Sequence, residues 1–325
     1  MGIVAVVTPI YATPENGRLE LFRYTLKSVL RQCPDVVHVV VDDGSQEDVE
    51  YFLREHGNSS VRYLKRERQA SDLKTASNAL NLGIDNCIAK NSDVLSSRET
   101  RDLAAVTFLH SDDVLTRDSI EKRLLGLKDG FVFTEMAFSD KNGLVYCVRN
   151  GLEYLQDKTY VSRNPVPFNK HTLMWNTQFL RYLKEYSERR YEQFGVFDSH
   201  LFFGEDLDVV LSSFEAAIEG NFEIDYLPFA SVIYRNHPNS ISGETHRAAI
   251  EEQSNIISIK HFGQPGKLSK NPLHGRFWRD FPWTIGASLP EPIKARIRPI
   301  RNLVQHVRFH MSNPQLCRTL EECMR

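Results

Sequence analysis

Short apolar runs alternate with amphipathic stretches along the first third of the chain. Ile3 to Val7, Val36 to Val41 and Ala104 to Leu109 are largely apolar with β-branched residues, and Val61-Arg62-Tyr63-Leu64 is a shorter run of the same kind that carries one charge. All four read as strands, and Ala104 to Leu109, nearly all apolar, as one buried on both faces of a sheet. Between the first two, Leu19, Phe22, Leu26, Val29 and Leu30 recur at helical spacing. Ser45 with Asp48 resembles a capping box opening the next helix. Ala76, Leu80, Ile84 and Ile88 mark one face of a third helix, and residues 89–103 are polar and read as a mobile surface insertion. After the fourth strand, Thr116 is placed to cap a helix carrying Ile120, Leu124 and Leu127. Strands alternating with helices predict parallel strands joined by right-handed crossovers.

Two carboxylate pairs stand out against this pattern. Asp42-Asp43 and Asp112-Asp113 follow the second and fourth strands. In a parallel sheet those ends share one edge, and open α/β sheets bind ligands there. Adjacent carboxylates at such an edge suit a divalent cation carrying a phosphate; as a plain turn they would merely start a helix.

The second half is less regular. Gly130 to Phe138 predicts a strand, Asn142-Gly143 a turn, and Asn164-Pro165-Val166-Pro167 excludes regular helix. A helix is expected from Asn176 to Arg190. Another opens at Gly204-Glu205-Asp206 with Leu207, Val210, Leu211 and Phe214 on one face. Phe222 to Leu227 and Ser231 to Tyr234 read as two short strands, and residues 245–261 as helix.

Composition narrows the class. The chain has 325 residues and a net charge of −2, which gives no case for binding a nucleic-acid polymer. Five cysteines without metal-type spacing read as reduced thiols. The first core strand begins at Ile3 with no secretory pattern before it, and no apolar run could span a bilayer. A cytoplasmic protein is expected.

Six stretches together resemble the family-2 glycosyltransferases of the GT-A fold. They are Val7-Thr8-Pro9-Ile10-Tyr11, Val40 to Ser45, Ala76-Ser77-Asn78 before Gly83-Ile84, Phe108 to Leu115, Phe203 to Asp208, and Tyr234 to Ser242. The resemblance implies a Rossmann-like, mostly parallel α/β sheet flanked by helices over residues 1–245, with a helical C-terminal extension over 246–325. Residues 1–115 would form the nucleotide-binding half and 116–245 the acceptor side.

The resemblance also implies roles. Thr8, Pro9, Tyr11, Asp42, Asp43, His110 and Ser111 would meet the donor nucleotide, with a basic residue after the third strand. Arg66, Arg68 and Lys74 all lie there, with Arg68 and Lys74 the candidates carried forward. Asp112 matches the metal carboxylate of an Asp-x-Asp signature whose first position is here His110, a departure that removes one fixed negative charge. His237, in a Tyr-Arg-x-His pattern, would be a second metal ligand, and Arg235 and Ser240 would assist the diphosphate. Imidazole among the ligands favours manganese over magnesium. Asp206 would be the general base, Glu205 would hold the acceptor, and Trp175 would stack on an acceptor sugar or else lie in the core. Carboxylates opening a helix also suit its dipole, which is the competing account of Glu205, Asp206 and Asp208.

The activity so implied is inverting transfer of a sugar from a UDP- or GDP-type donor to a glycan or lipid-linked saccharide. The rivals are a sugar nucleotidyltransferase, for which the turn after the first strand lacks a Gly-rich basic loop, and a non-catalytic carbohydrate-binding scaffold. Lys294, Arg296, Arg298, Arg301 and Arg308, interleaved with apolar residues, suggest peripheral contact with the inner membrane face.

Overall fold

The computed structural model describes residues 2–32, 35–68, 75–89, 92–139, 145–149, 170–201, 204–235 and 247–264. Lys74, Asn142-Gly143, residues 164–167, Phe203, His237, Ser240 and the basic tail lie outside the described residues.

The chain runs β1 (Ile3–Ile10), α1 (Arg18–Leu30), β2 (Val36–Asp42), α2 (Val49–His56), β3 (Val61–Lys65), α3 (Ser77–Ile88), α4 (Ser97–Asp102) and β4 (Leu103–Phe108). It continues through β5 (Val114–Leu115), α5 (Ser119–Gly126), β6 (Phe131–Ser139), β7 (Val145–Arg149), a 3-10 turn (Lys170–Thr172) and β8 (Leu173–Asn176). Then come α6 (Thr177–Tyr191), α7 (Glu205–Gly220), β9 (Ile224–Arg235) and α8 (Arg247–Phe262).

One sheet orders these strands β3-β2-β1-β4-β8-β6-β9-β5, with β7 also on β6. β1 is parallel to both β2 and β4, and β2 is parallel to β3, as the alternating pattern predicts. Past β4 the sheet is mixed. β8 is antiparallel to β4 and β6, whereas β6 and β9 run parallel. Val4 to Val7, Val39 to Val41, and Ala105, Val106 and Phe108 of β4 have no exposed surface, so these strands are covered on both faces, whereas β3 is only partly buried. α3 lies so close that a Cβ on Gly83 would sit 2.4 Å from a Val7 methyl. Glycine there lets the helix press onto the sheet.

Four local expectations change. The polar insertion carries α4, whose Ser96 and Glu99 form a reciprocal capping box. The cap of α2 is Asp48, accepting from the Tyr51 amide; Ser45 instead accepts from the Ala12 amide. Thr116 does not cap α5, because its hydroxyl donates to the Ala230 carbonyl and ties β5 to β9. The two short strands near residues 222–234 are one strand, β9, whose register against β6 shifts between Thr134 and Met136. Pro228, which has no amide hydrogen, sits at that irregularity.

Candidate active site

Because β1 lies between β2 and β4, the two acidic turns emerge side by side. Ile10 is level with Asp42, and Val7 with Phe108. At the first turn, Asp42 and Asp43 divide the work. Asp42 builds the turn: its carboxylate accepts from the Ser45 amide at 2.8 Å and the Tyr63 hydroxyl at 2.9 Å, and it lines a cavity with Ser45, Tyr63 and Lys65. Asp43 faces the basic loop after β3. Its oxygens accept from Arg66 at 2.5 Å and from two nitrogens of Arg68 at 2.9 and 2.6 Å. The Arg68 guanidinium lies 4.3 Å from the centroid of the half-exposed Tyr11 ring. Tyr11, Asp43 and Arg68 thus form one group, an aromatic face edged by a charge-paired donor. Thr8 does not join it: it is fully buried with its hydroxyl 2.9 Å from His38 Nε2, and Pro9 is buried beside it in β1. Thr8 therefore supports the sheet from inside and cannot touch a donor.

The second turn is held from three sides. Arg18, at the start of α1, ion-pairs with the Asp112 carboxylate, which keeps 17% of its surface exposed. Ser111 is buried. Arg235, expected near a diphosphate, is instead a staple. Its guanidinium donates to the carbonyls of Asp112 and Leu21, and its amide donates to Asp113. Asp113 Oδ2 lies 2.9 Å from Nδ1 of the fully buried His171. Burial, reinforced by Asp112, pushes the Asp113 carboxyl well up, and burial pulls His171 down to about 3. Both shifts favour the uncharged forms of the two groups.

The acceptor-side carboxylates open α7. Gly204 precedes them with φ +85°, a left-handed conformation that a side chain would strain, and a Cβ there would meet Ile257 at 2.8 Å. Glu205 and Asp206 then turn toward the 3-10 turn, where Lys170 donates to Glu205 at 3.0 Å and ion-pairs with Asp206. The lysine side chain is 1% exposed. Burial disfavours its charge, but Asp206 and Glu205 outweigh that and raise its proton affinity above the ordinary lysine value. His110 approaches from the second turn, its ring 4.1 Å from that of His171. Burial and the Lys170 charge hold the His110 imidazole neutral.

His110, Glu205 and Asp206 each offer one ligand atom, all within 4.8 Å of one another. One nitrogen and two oxygens are donors a divalent transition metal accepts. Asp112 stands outside that trio, paired to Arg18.

Asp208 is not a surface dipole partner. It is fully buried, with Lys260 and His261 of α8 each 2.9 Å from its carboxylate. Trp175 has no exposed surface; its indole donates to Ser213 at 3.0 Å and its ring meets Phe108 edge-on. It is a core residue and offers no face to an acceptor. Sequence reasoning missed Lys170, Arg18 and Lys260. A lone basic residue carries no signal of its own; only the fold brings these beside carboxylates.

No helix among the described residues is long and apolar enough to cross a membrane. Residues 5–180 match the family described as Glycosyl transferase family 2. No curated protein matches the sequence. Among solved structures, S. aureus TarS shares the fold at TM-score 0.51 and 14% identity, over 79% of this chain and 39% of that one. TarS 1-349 in complex with UDP-GlcNAc gives 0.53 and 15%, over 79% and 66%. TarS 1-349 in complex with UDP gives 0.50 and 13%, over 93% and 79%. The chain thus spans well under half of the first of these proteins. With the family match covering more than half of its residues, on a sheet whose acidic turns share one edge, the chain belongs to glycosyl transferase family 2.

Proposed function

We propose that this glycosyltransferase moves a sugar from a nucleotide-diphosphate sugar to an acceptor hydroxyl with inversion. The observation that carries the reading is the meeting of two groups on one sheet edge. The β2 turn supplies Tyr11, Asp43 and Arg68 for a nucleotide; the start of α7 brings Glu205 and Asp206 to His110. TarS, whose fold this chain shares, is solved with UDP-GlcNAc, which supports a nucleotide-sugar donor of UDP or GDP type.

In this reading Asp206 accepts the acceptor's hydroxyl proton. The oxygen attacks the anomeric carbon as the bond to the diphosphate breaks on the opposite side. Glu205 holds the acceptor. Families of this fold generally use a divalent cation. Asp112, partly buried against Arg18, together with His237 would hold it, and Arg18 would exchange its carboxylate partner for the diphosphate. The ion, manganese over magnesium, would screen charge on the leaving group. A glycan or lipid-linked saccharide made at the cytoplasmic membrane face is the acceptor class, with the basic tail as a surface contact; liposomes that fail to float the full chain would remove that contact.

The deciding experiment is a transfer and hydrolysis assay over a panel of sugar nucleotides with manganese. Turnover of one donor that is lost in Asp206→Asn is expected. Binding of nucleotide sugars without turnover of any would point to the scaffold reading.

A further inference from the structure

The three-donor group at His110, Glu205 and Asp206 already contains a cation, and it belongs to the protein. Lys170 reaches it from the 3-10 turn with a fully buried ammonium that bridges both carboxylates. The same nitrogen lies 5.6 Å from the Phe197 ring centroid, so the lysine is cradled on its remaining side by an aromatic face. Its backbone is fixed too. The buried Arg123 donates to the His171 and Leu173 carbonyls at 3.2 and 3.4 Å, directly after Lys170.

We infer that His110, Glu205 and Asp206 form a second divalent-metal site, separate from Asp112, and that the Lys170 ammonium keeps it closed. The charge arithmetic explains why such a guard is useful. The two carboxylates carry two negative charges in a cleft that must also admit a divalent ion with the donor. Unguarded, they would chelate that ion themselves, because carboxylate and imidazole together suit transition metals. A metal held there would occupy the lone pairs Asp206 needs for a proton. Lysine supplies one positive charge, cannot chelate, and leaves one negative charge in the site. Arginine at this position would bridge the carboxylates bidentately; a point charge on a flexible stem holds them more loosely. The inference concerns cation binding alone, so it stands or falls separately from the role of Asp206 as a base.

The test is manganese titration of the full chain without nucleotide, followed by electron paramagnetic resonance of the unbound ion. Lys170→Met keeps the length of the side chain and removes its charge. It should gain one manganese equivalent at least about tenfold tighter than any the wild type binds, and adding His110→Ala should abolish that gain. Identical titrations for folded Lys170→Met and wild type would overturn the inference. Should Lys170→Met fail to fold, wild type and Glu205→Gln decide the matter. A closed site requires superimposable curves, and loss of a manganese equivalent in Glu205→Gln would show that lysine does not keep metal out.

Discussion

Replacing Asp43 by asparagine tests the donor half of the site most directly. Its carboxylate, only 4% exposed, holds two guanidinium groups through three hydrogen bonds. Asparagine keeps one acceptor oxygen and turns an NH2 donor toward the other arginine. It can satisfy the Arg66 side or the Arg68 side, and in either case the net negative charge is lost. Hydrogen bonds to charged groups contribute about 1.5–3 kcal/mol each. The guanidinium groups of Arg66 and Arg68 are 16% and 25% exposed, so solvent screens part of this. A loss of about 1.5 kcal/mol in the ordering of Arg68 over Tyr11 is the resulting expectation, close to tenfold in nucleotide affinity. The assay is calorimetric titration with UDP and manganese, beside urea denaturation. Asp42→Asn is the contrast: its carboxylate builds the turn, so it should lower stability while the folded fraction binds UDP nearly as before. Wild-type UDP affinity in folded Asp43→Asn would refute the reasoning and reduce the Asp43–Arg68 pair to a structural clasp.

Asp206→Asn should leave UDP and manganese binding nearly intact and slow transfer by roughly 10²–10⁴-fold, whereas Asp112→Asn should weaken manganese-dependent UDP binding as well. A near-normal transfer rate in Asp206→Asn would remove it as the base. His38 is fully buried and burial lowers it to about 3, so between about pH 6.5 and 3 only the unfolded chain takes up its proton. Stability should therefore fall on acidification by up to about 1.4 kcal/mol per pH unit from this group. His38→Leu, followed by urea midpoints at several pH values, should show a shallower acid limb; an equally steep one would assign the loss to other groups.

The parallel half of the fold was legible because burial on two faces leaves a plain mark, a β-branched run such as Val36 to Val41, interrupted only by the buried His38. Helix α7 was legible from its glycine and its apolar face. Local caps were misread where a side chain had a distant alternative: Thr116 bonds Ala230 across the sheet, and no spacing rule contains that partner. Within the site, the residue types of the two acidic turns announced themselves, but their division of labour did not. Asp42 and Asp43 differ only in which way the turn points them. Trp175 read equally well as a stacking platform or as core, and only the packing of Phe108 and α7 around it decides. Lys170 was invisible because its meaning lies in carboxylates 35 positions away.

The clasp between Asp208 and α8 has a consequence for the order in which the protein matures. Domains emerge from synthesis N-terminal end first and fold as units. Asp208 is made 52 residues before the Lys260 that neutralises it. Until α8 arrives, the helix that opens on Glu205 and Asp206 must either leave Asp208 in water or hold an uncompensated charge inside, and the second is costly. Its first turn therefore settles late. The second acidic turn waits as well, because the Arg235 that staples it lies in β9. The last described helix therefore completes the charge balance beneath the acceptor carboxylates.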